Sequence, residues 1–381
     1  MRPPFTALHV VQPGDGGVAR VVADLTGAQL ARGLRVAVAC PPGTPLAGRV
    51  RALGAETYPW RAGRDPGRAV AAEIRRVGEL VALVGPDLVH AHSAKAGLAA
   101  RLAVRGRVPT VYQPHAWSFE AVDGLTGALA RRWECRAARW THRIVCVSEA
   151  ERRRGERAGV RARWSIVHNG VDVARYASGP GRALARTALG VPARVPLVVC
   201  VGRLCRQKGQ DTLLAAWPRV ASRVPDARLV LVGDGPDAAA LRAAAPPSVT
   251  LAGPVTDPAP WYRAADLVVQ PSRWEGMALA PLEAMATGRP VLLSDVDGAR
   301  ESLPPGQDAY CLVPPGDPTA LADALVRLLQ RPILRLALGQ RAREHMREGF
   351  DVRRTGAALA EVYREVAGGG RPDLMREPVA Q

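Results

Sequence analysis

A glycine, an arginine and a lysine lie within seven positions of one another just past the middle of the chain. Gly202 and Arg203 follow a short apolar run, and Lys208 comes directly before a stretch with a helical pattern. The end of a strand and the free N–H groups of a helix N-terminus attract an anion, and basic side chains add charge to such a site. The group therefore favours a diphosphate site. An exposed loop with two solvated cations is the alternative.

Two glutamates, Glu275 and Glu283, form a second group, and this one could bind hydroxyls. Pro281 suits the first turn of a helix, so we place Glu275 on the loop before that helix and Glu283 in its first turn. From these positions both carboxylates can face one pocket. A carboxylate accepts hydrogen bonds from two adjacent hydroxyls, which suits a ribose or a hexose. A plain role in capping the helix remains open for Glu283.

The residues that follow Glu275 could bring backbone groups to the same pocket. Gly276 has no side chain, so the N–H groups of Met277, Ala278 and Leu279 can approach a phosphate or a sugar closely. We therefore expect Gly276, Met277, Ala278 and Leu279 to contact the same ligand as Glu275.

Histidines end two strand-like runs in the first half of the chain. His90 and His92 alternate along one run and so share a strand face, but no third ligand follows at a useful spacing, and we predict no metal site. His92, Ser93 and Lys95 are expected to line the side where an acceptor binds. His115 ends the next run, and its neutral imidazole could donate one hydrogen bond and accept another. A structural role is the alternative for a lone histidine.

Two glycines, Gly16 and Gly17, follow the first strand-like run and open a helical stretch. Glycines at a helix N-terminus let backbone N–H groups come close to an anion or to an acceptor hydroxyl. We include both on the acceptor side, and a glycine turn without a ligand is the alternative.

Short apolar runs alternate with longer helical patterns through both halves of the chain, with six such runs in each half. The runs are near-continuous in Val and Leu, which indicates strands that are buried on both faces. Strands of this kind that alternate with helices form a parallel sheet with helices on both sides. The predicted fold class is therefore α/β, with two tandem doubly wound Rossmann-like domains.

A chain of 381 residues is too long for one ordinary core, which also favours two domains. The pattern breaks near residues 172–194. We predict a first domain over residues 1–175, a second over 176–350, and a segment over 351–381 whose helix packs back on the first domain and whose end is frayed. Two such domains leave a cleft between the carboxyl ends of their strands, where these folds bind ligands.

The formal net charge of +17 is most concentrated between Arg131 and Arg163, where eleven arginines accompany four glutamates. A basic face can attract an anionic membrane surface, nucleic acid or phosphorylated substrates, and a solvated helical face is the alternative. We expect no nucleic acid partner. Six scattered cysteines, no signal peptide and no run long enough to span a membrane indicate a cytoplasmic protein, at most peripheral at the inner membrane face.

The second half resembles family four of the retaining glycosyltransferases, which have the GT-B fold. The resemblance rests on the Gly-Arg and Lys-Gly pairs, on the two glutamates eight positions apart, and on the neighbouring Glu-Ala-Met-Ala-x-Gly-x-Pro-Val. It implies that Arg203 and Lys208 hold the diphosphate of a nucleotide-sugar donor. It further implies that Glu283 binds the ribose and that Glu275 contacts the transferred sugar. Many members have an aromatic residue followed by a glycine where this chain has Met277 and Ala278.

The first half resembles the same family. Its Gly-Gly pair is similar to a loop that lies across the cleft from the donor phosphates, so Gly17 is expected to contact the donor too. The block from His90 to Gly97 is similar to the His-x-His-Ser-x-Lys-Ala-Gly of polysaccharide-type members. His115 matches a histidine near the reaction centre. The resemblance thus gives the catalytic group as His115 with Glu275, Arg203 and Lys208.

The resemblance implies transfer of a sugar from a nucleoside diphosphate sugar to an acceptor hydroxyl with retained anomeric configuration, without a metal or another cofactor. The acceptor would be a glycan, a lipid-linked molecule or a small molecule, in the synthesis of a polysaccharide, a glycolipid or a natural-product glycoside. A sugar-nucleotide epimerase of the same architecture and a non-catalytic basic membrane-associated protein are the alternatives.

Overall fold

The computed structural model describes residues 4–63 and 67–368. Its contacts divide the chain into two units. The first unit comprises Met1–Asn169 with Val352–Gln381, and the second comprises Gly170–Asp351. The sequence placed the corresponding boundaries after residues 175 and 350. The frayed tail that it predicted lies outside the described residues.

The sheet of the first unit has seven parallel strands in the order β3-β2-β1-β4-β5-β6-β7. The strands are β1 (Thr6–Val11), β2 (Arg35–Cys40), β3 (Glu56–Pro59), β4 (Leu88–His92), β5 (Thr110–Gln113), β6 (Arg143–Cys146) and β7 (Trp164–Ile166). Six of them correspond to the predicted apolar runs. The sequence missed β3, because Glu-Thr-Tyr-Pro is not an apolar run and forms an edge strand that is only partly buried.

Six helices connect these strands on both faces of the sheet. They are α1 (Gly16–Leu30), α2 (Pro45–Ala52), α3 (Val70–Val84), α4 (Ser93–Val104), α5 (Gly124–Ala137) and α6 (Glu149–Arg157). Side chains of β1 alternate between two cores, with Ala7 and Val11 in one and Leu8 and Val10 in the other. This double burial accounts for the continuous apolar runs of the sequence.

The sheet of the second unit has six parallel strands in the order β10-β9-β8-β11-β12-β13. The strands are β8 (Leu197–Val201), β9 (Arg228–Val232), β10 (Val249–Gly253), β11 (Leu267–Gln270), β12 (Val291–Ser294) and β13 (Leu312–Val313). The helices are α7 (Val173–Ala177), α8 (Arg182–Ala188), α9 (Gln210–Arg223), α10 (Ala238–Ala244), α11 (Ala259–Ala264), α12 (Leu279–Ala286), α13 (Ala299–Ser302), α14 (Asp308–Cys311), α15 (Pro318–Leu329) and α16 (Pro332–Gly349).

The last described helix, α17 (Val352–Val366), belongs to the first unit although the second unit precedes it in the chain. It packs against α1, where Gly356 lies close to Ala28. Leu359 and Tyr363 are fully buried in the core that contains Ala7 and Val11. The first unit is therefore completed by a segment from the far end of the described chain.

Neither unit contains a membrane span within residues 4–63 and 67–368, because no helix there is both long enough and apolar enough to cross a bilayer. All six cysteines are free thiols. Four of them, Cys40, Cys146, Cys200 and Cys311, are buried, where a free cysteine packs as a small apolar residue.

Candidate functional site

The candidate site of the second unit lies where the strand order of the sheet changes direction. Strand β8 pairs with β9 on one side and with β11 on the other, and all three are parallel. The loops after β8 and β11 therefore leave the same edge of the sheet side by side, which is where doubly wound folds bind ligands. The first loop carries Arg203 and Lys208, and the second carries Glu275.

Lys208 and Glu275 are in direct contact between these two loops. The Nζ of Lys208 lies 2.5 Å from Oε1 of Glu275. The same oxygen accepts a hydrogen bond from Oγ of Ser272 at 2.7 Å, and Nε2 of Gln270 donates to that hydroxyl at 2.9 Å. Glu275 is largely buried, so these bonds fix its carboxylate. The structure thus joins the residue predicted for the diphosphate to the residue predicted for the sugar.

Arg203 follows Gly202 on the same loop as Lys208. Its backbone carbonyl accepts a hydrogen bond from Gln210, but within the described chain its guanidinium forms no ion pair. Arg273, on the loop after β11, is instead held by both carboxylate oxygens of Asp211. Arg203 is therefore better placed than Arg273 to meet an anion. Gly202 donates its N–H to the carbonyl of Val232.

Two glycines let the loops approach one another closely. A Cβ on Gly209, whose φ is +67°, would lie 2.0 Å from the carbonyl oxygen of Pro271. A Cβ on Gly298, whose φ is +74°, would lie 2.1 Å from the carbonyl oxygen of Gly276. Since any larger residue would force the backbones apart, these glycines hold together the loops that follow β8, β11 and β12.

Glu283 lies deeper than the Lys208 pair and is held by a tyrosine. Its Oε2 accepts a hydrogen bond from the hydroxyl of Tyr262 at 2.7 Å, and both side chains are buried. Helix α12 begins at Leu279 rather than near Pro281, so Glu283 lies in the second helical turn. The predicted position in the first turn was wrong because the helix starts two residues earlier.

The N-terminus of α12 faces the same region. Ala278 is its N-cap residue and makes no side-chain cap, and Met277 before it is buried. Leu279 begins the helix, and its side chain is buried as well. A small recess lies between the loops and is lined by Gln270, Ser272, Glu275, Ala278, Asp297 and Gly298, among others.

In the first unit, the predicted glycines begin helix α1. Gly16 has a φ of +75°, which favours glycine, and Asp15 before it makes no side-chain cap. A Cβ on Gly17 would meet nothing within 4 Å. The space in front of Gly17 is therefore open, and packing inside the unit does not require a glycine there.

The predicted histidines His92 and His115 are hydrogen-bonded in series with a third histidine, His9, which belongs to no sequence motif. Nδ1 of His92 lies 3.2 Å from Nε2 of His115, and Nε2 of His92 lies 2.9 Å from Nδ1 of His9. His9 also reaches Oε1 of Gln29 at 2.8 Å. Burial lowers the pKa of His9 to about 4 and the pKa of His115 to about 3, and it holds the pKa of His92 well below its usual range.

The expectation that His90 and His92 lack a third ligand was wrong. Strand β1 lies beside β4 with His9 opposite His90, and nitrogens of His9, His90 and His92 come within 4.8 Å of one another. The strand order brings these three histidines together, whereas about eighty positions separate His9 from the other two in the sequence. The hydrogen bonds to His92 and Gln29 already engage both ring nitrogens of His9.

Lys95 and Ser93 lie at the start of α4, after β4. The Nζ of Lys95 is 2.8 Å from Oε2 of Glu73 on α3, and both side chains are only 4% exposed. The sequence placed Lys95 on the acceptor side, and the structure pairs its ammonium with Glu73 inside the unit. Ser93 has a φ of +76°, and its buried hydroxyl has no partner among the described residues.

Comparisons with known proteins match both units. The family described as "Glycosyltransferase Family 4" matches residues 15–175, and the family described as "Glycosyl transferases group 1" matches residues 195–331. The solved structure of Anabaena HepE in complex with UDP-glucose has a TM-score of 0.83 and 24% identity over 95% of this chain and 100% of that chain. This likeness confirms the predicted fold of two Rossmann-like domains, the GT-B class.

Two relatives are named D-inositol 3-phosphate glycosyltransferase. The protein from Kineococcus radiotolerans is 33% identical over 73% of this chain and 71% of its own length. The protein from Saccharomonospora viridis is 39% identical over 52% of this chain, and the match spans only about half (49%) of that relative. The family matches cover both units, and the Kineococcus radiotolerans relative is matched over 71% of its length. The chain therefore belongs to family four of the glycosyltransferases, also described as the group 1 glycosyl transferases.

Proposed function

We propose that this protein transfers a sugar from a nucleoside diphosphate sugar to a hydroxyl of an acceptor. The observation that carries the proposal is the contact of Lys208 with Glu275. The loop that carries Lys208 also carries Arg203, whose guanidinium has no ion pair in the described chain. These groups lie where the strand order of the second sheet reverses, and they combine two cations for a diphosphate with one carboxylate for sugar hydroxyls.

The diphosphate is proposed to compete with Glu275 for Lys208. A diphosphate between Arg203 and Lys208 receives charge-assisted hydrogen bonds that strengthen as the leaving group gains charge. Glu275 keeps its bond from Ser272 and can then accept a bond from a sugar hydroxyl. Binding of the donor would in this way orient both ends of the site.

Glu283 is proposed to bind the ribose hydroxyls. Tyr262 holds one of its oxygens, which fixes the plane of the carboxylate. The N-terminus of α12, with Gly276, Met277, Ala278 and Leu279, would add backbone N–H groups to the donor. A fixed carboxylate loses less freedom on binding, which favours affinity.

A UDP-sugar is the donor that we propose, because HepE was solved with UDP-glucose. The relatives named for D-inositol 3-phosphate suggest a small hydroxylated acceptor. Retention of configuration and independence of a metal are further proposals, supported by the family resemblance and by the two cations that can neutralise a diphosphate. The acceptor would meet Gly16, Gly17 and His115 in the first unit.

Thermal stability with a panel of UDP-, GDP- and dTDP-sugars tests the donor proposal. We expect one nucleotide class to raise the melting temperature, and EDTA to leave that increase unchanged. Product analysis by NMR then reads the anomeric configuration. No stabilisation by any member of the panel would count against the donor site, and interconversion of the nucleotide sugar without an acceptor would favour the epimerase.

A membrane surface is a second candidate partner, and helix α5 supports it. Leu125 and Leu129 on this helix are 87% and 66% exposed, and Arg131 and Arg132 nearby form no ion pair among the described residues. In α6, by contrast, Glu149 pairs with neighbouring arginines. Exposed leucines beside uncompensated arginines suit an anionic bilayer.

Flotation with vesicles tests this partner. We expect binding to phosphatidylglycerol vesicles that falls with salt, and little binding to phosphatidylcholine vesicles. A variant with Leu125→Ser and Leu129→Ser should lose most of this binding. Equal recovery with both vesicle types, or none with either, would exclude an anionic membrane surface as the partner.

A further inference from the structure

A chain of hydrogen-bonded side chains runs through the buried sheet of the first unit and ends at His115. Oε1 of Gln29 on α1 contacts His9 on β1 at 2.8 Å, and His9 contacts His92 at the end of β4 at 2.9 Å. His92 contacts His115 at 3.2 Å. The strands β1, β4 and β5 are neighbours, so successive strands place successive rings along one line.

The direction of each hydrogen bond follows from the first member. An amide oxygen only accepts, so the proton of neutral His9 is on Nε2 and its Nδ1 is bare. Nε2 of His92 must then carry the proton that it donates to His9, which leaves Nδ1 of His92 bare. His115 donates to that nitrogen from its own Nε2, and its Nδ1 is left as an acceptor. One amide thus determines three tautomers.

The amide of Gln29 is oriented by groups on its other side. Its side chain also lies near the hydroxyl of Tyr363 on α17. That hydroxyl lies 2.6 Å from Nδ1 of His90. When the amide N–H donates to the tyrosine oxygen, the tyrosine donates to His90, whose proton is then on Nε2. The side chain of Gln113 lies near His90, and neither Nε2 of His90 nor the buried Oε1 of Gln113 has a hydrogen-bond partner among the described residues.

The hydrogen-bonded series ends at His115, a half-buried residue in an unusual backbone conformation. His115 has a φ of +59° and Ala116 a φ of +129°, both unusual for residues with a side chain. The N–H of Ala116 donates to Oε1 of Glu151 at 2.8 Å, which holds this turn. Nδ1 of His115 has no hydrogen-bond partner in the described part of the chain. The backbone and the ring are thus fixed separately, and one nitrogen is left for a ligand.

We infer that His9 and His92, oriented by Gln29, are positioning residues that hold His115 in the tautomer with a bare Nδ1. His115 would then accept a hydrogen bond from a hydroxyl of a bound molecule, and it would not donate one. Only the identity of that hydroxyl, on the sugar or on the acceptor, rests on the proposed function. The tautomers are a property of the protein alone.

Burial keeps the three hydrogen-bonded imidazole rings uncharged, and only neutral rings have a bare nitrogen that can accept a hydrogen bond. The pKa values of His9 and His115 fall to about 4 and about 3, and that of His92 lies well below its usual range. Near neutral pH the three rings are therefore neutral, and each carries its single proton on Nε2.

A long-range proton–nitrogen correlation spectrum of the wild-type protein, labelled at histidine with nitrogen-15, tests the inference directly. We expect His9, His92 and His115 all to show the proton on Nε2 at pH 7. His142 is an internal reference, because its Nδ1 accepts a bond from the N–H of Thr110 at 3.1 Å and its proton must be on Nε2. A proton on Nδ1 of His115, or a charged ring, would overturn the inference.

Two variants identify the cause. Gln29→Leu removes the group that sets the direction, so the two nitrogen shifts of His115 should move toward each other as both tautomers become populated. His142 lies in the same unit but is not one of the hydrogen-bonded residues between Gln29 and His115. The variant His142→Gln should therefore leave the His115 signals in place. Unchanged His115 signals in Gln29→Leu would show that the amide does not set the tautomer.

Addition of Zn²⁺ alone tests the alternative that His9, His90 and His92 bind a metal ion. We expect the signals of His9, His90 and His92 to stay sharp at one equivalent of Zn²⁺. Retention of the ion with displacement of these signals would identify a metal centre and overturn the hydrogen-bonded chain. If the tautomers are as expected and no nucleotide sugar stabilises the protein, the proposed function fails while this inference stands.

Discussion

The ammonium of Lys208 and the carboxylate of Glu275 are 2.5 Å apart although 67 positions separate them in the sequence. The contact exists because β8 and β11 are neighbours in the sheet, so the loops that follow them meet. It links the charge expected at the diphosphate to the carboxylate expected at the sugar. Removal of either side chain should therefore affect the other end of the donor.

Lys208→Met should weaken donor binding by at least about tenfold, which corresponds to about 1.4 kcal/mol. The change removes one cation from the diphosphate and leaves the largely buried Glu275 without its charged partner. Titration calorimetry with the nucleoside diphosphate alone measures the effect. Arg219→Met is the matched control, since Arg219 forms an exposed ion pair with Asp323, and such pairs contribute little. Equal affinity in the Lys208 variant and the control would remove the diphosphate role.

Glu283→Ala should abolish the preference of the protein for ribose over deoxyribose. Wild-type protein should bind UDP about tenfold more tightly than dUDP if the carboxylate bonds the ribose hydroxyls. Without the carboxylate, the two affinities should converge. Tyr262→Phe removes the hydroxyl that holds Glu283 and should reduce the preference only in part. A Glu283→Ala variant that keeps the full preference would contradict the ribose assignment.

Lys95→Met should destabilise the first unit by about 3 kcal/mol or more, because it leaves the buried carboxylate of Glu73 without its ionic partner. The double variant Lys95→Met with Glu73→Gln should recover much of this loss, since the new amide oxygen can still accept the bond from the N–H of Gly63. Urea unfolding measures both. Sugar transfer at the wild-type rate by the double variant would assign Lys95 a structural role, and a selective loss of acceptor affinity would restore the acceptor-side prediction.

Stability should fall as the pH is lowered from about 6.5 toward 4. The folded-state pKa values of His9 and His115 lie below the ordinary value of 6.5, so in this window the unfolded chain binds protons that the folded chain does not. Each such group makes the free energy of unfolding decrease by up to about 1.4 kcal/mol per pH unit. Urea unfolding between about pH 7 and 5.5 measures this slope, because most Asp and Glu side chains titrate at a lower pH. His115→Gln should reduce that slope, and an identical slope in both proteins would contradict the shifted pKa.

Gly298→Ala should lower both stability and donor affinity, because its Cβ would lie 2.1 Å from the carbonyl oxygen of Gly276 on the neighbouring loop. Gly306→Ala is the matched control, since Gly306 has a similar φ of +80° but meets nothing within 4 Å. The control should show only the cost of the left-handed backbone conformation, about 1–2 kcal/mol. If both variants bind the nucleoside diphosphate like the wild type, the contact does not shape the site.

The apolar runs were sufficient to predict the fold, since strands buried on both faces leave a continuous signal. They did not reveal β3, a partly polar edge strand. Pairings between distant residues were also hidden, because they depend on strand order: Lys208 with Glu275 follows from the contact of β8 with β11. Residue type at the ends of the strands was informative, which is why Arg203 with Lys208 and Glu275 with Glu283 could be selected as two candidate groups.

The missed residues act through others and carry no motif of their own. Tyr262 orients Glu283, and Ser272 orients Glu275. His9 lies inside an apolar strand, where a single polar residue is a weak signal that could have been recognised as a buried hydrogen-bonding group. Its partner His92 was identified from a motif, and only the adjacent strands bring the two together.

The position of α17 has a consequence for the order in which the chain is completed on the ribosome. The second unit is one continuous segment and can fold as soon as residue 351 has emerged. The first unit needs Leu359 and Tyr363 in its core, so it must wait although most of it is synthesised earlier. We therefore expect the usual N-to-C sequence of domain folding to be inverted, with the earlier sheet exposed to chaperones until synthesis of α17 ends.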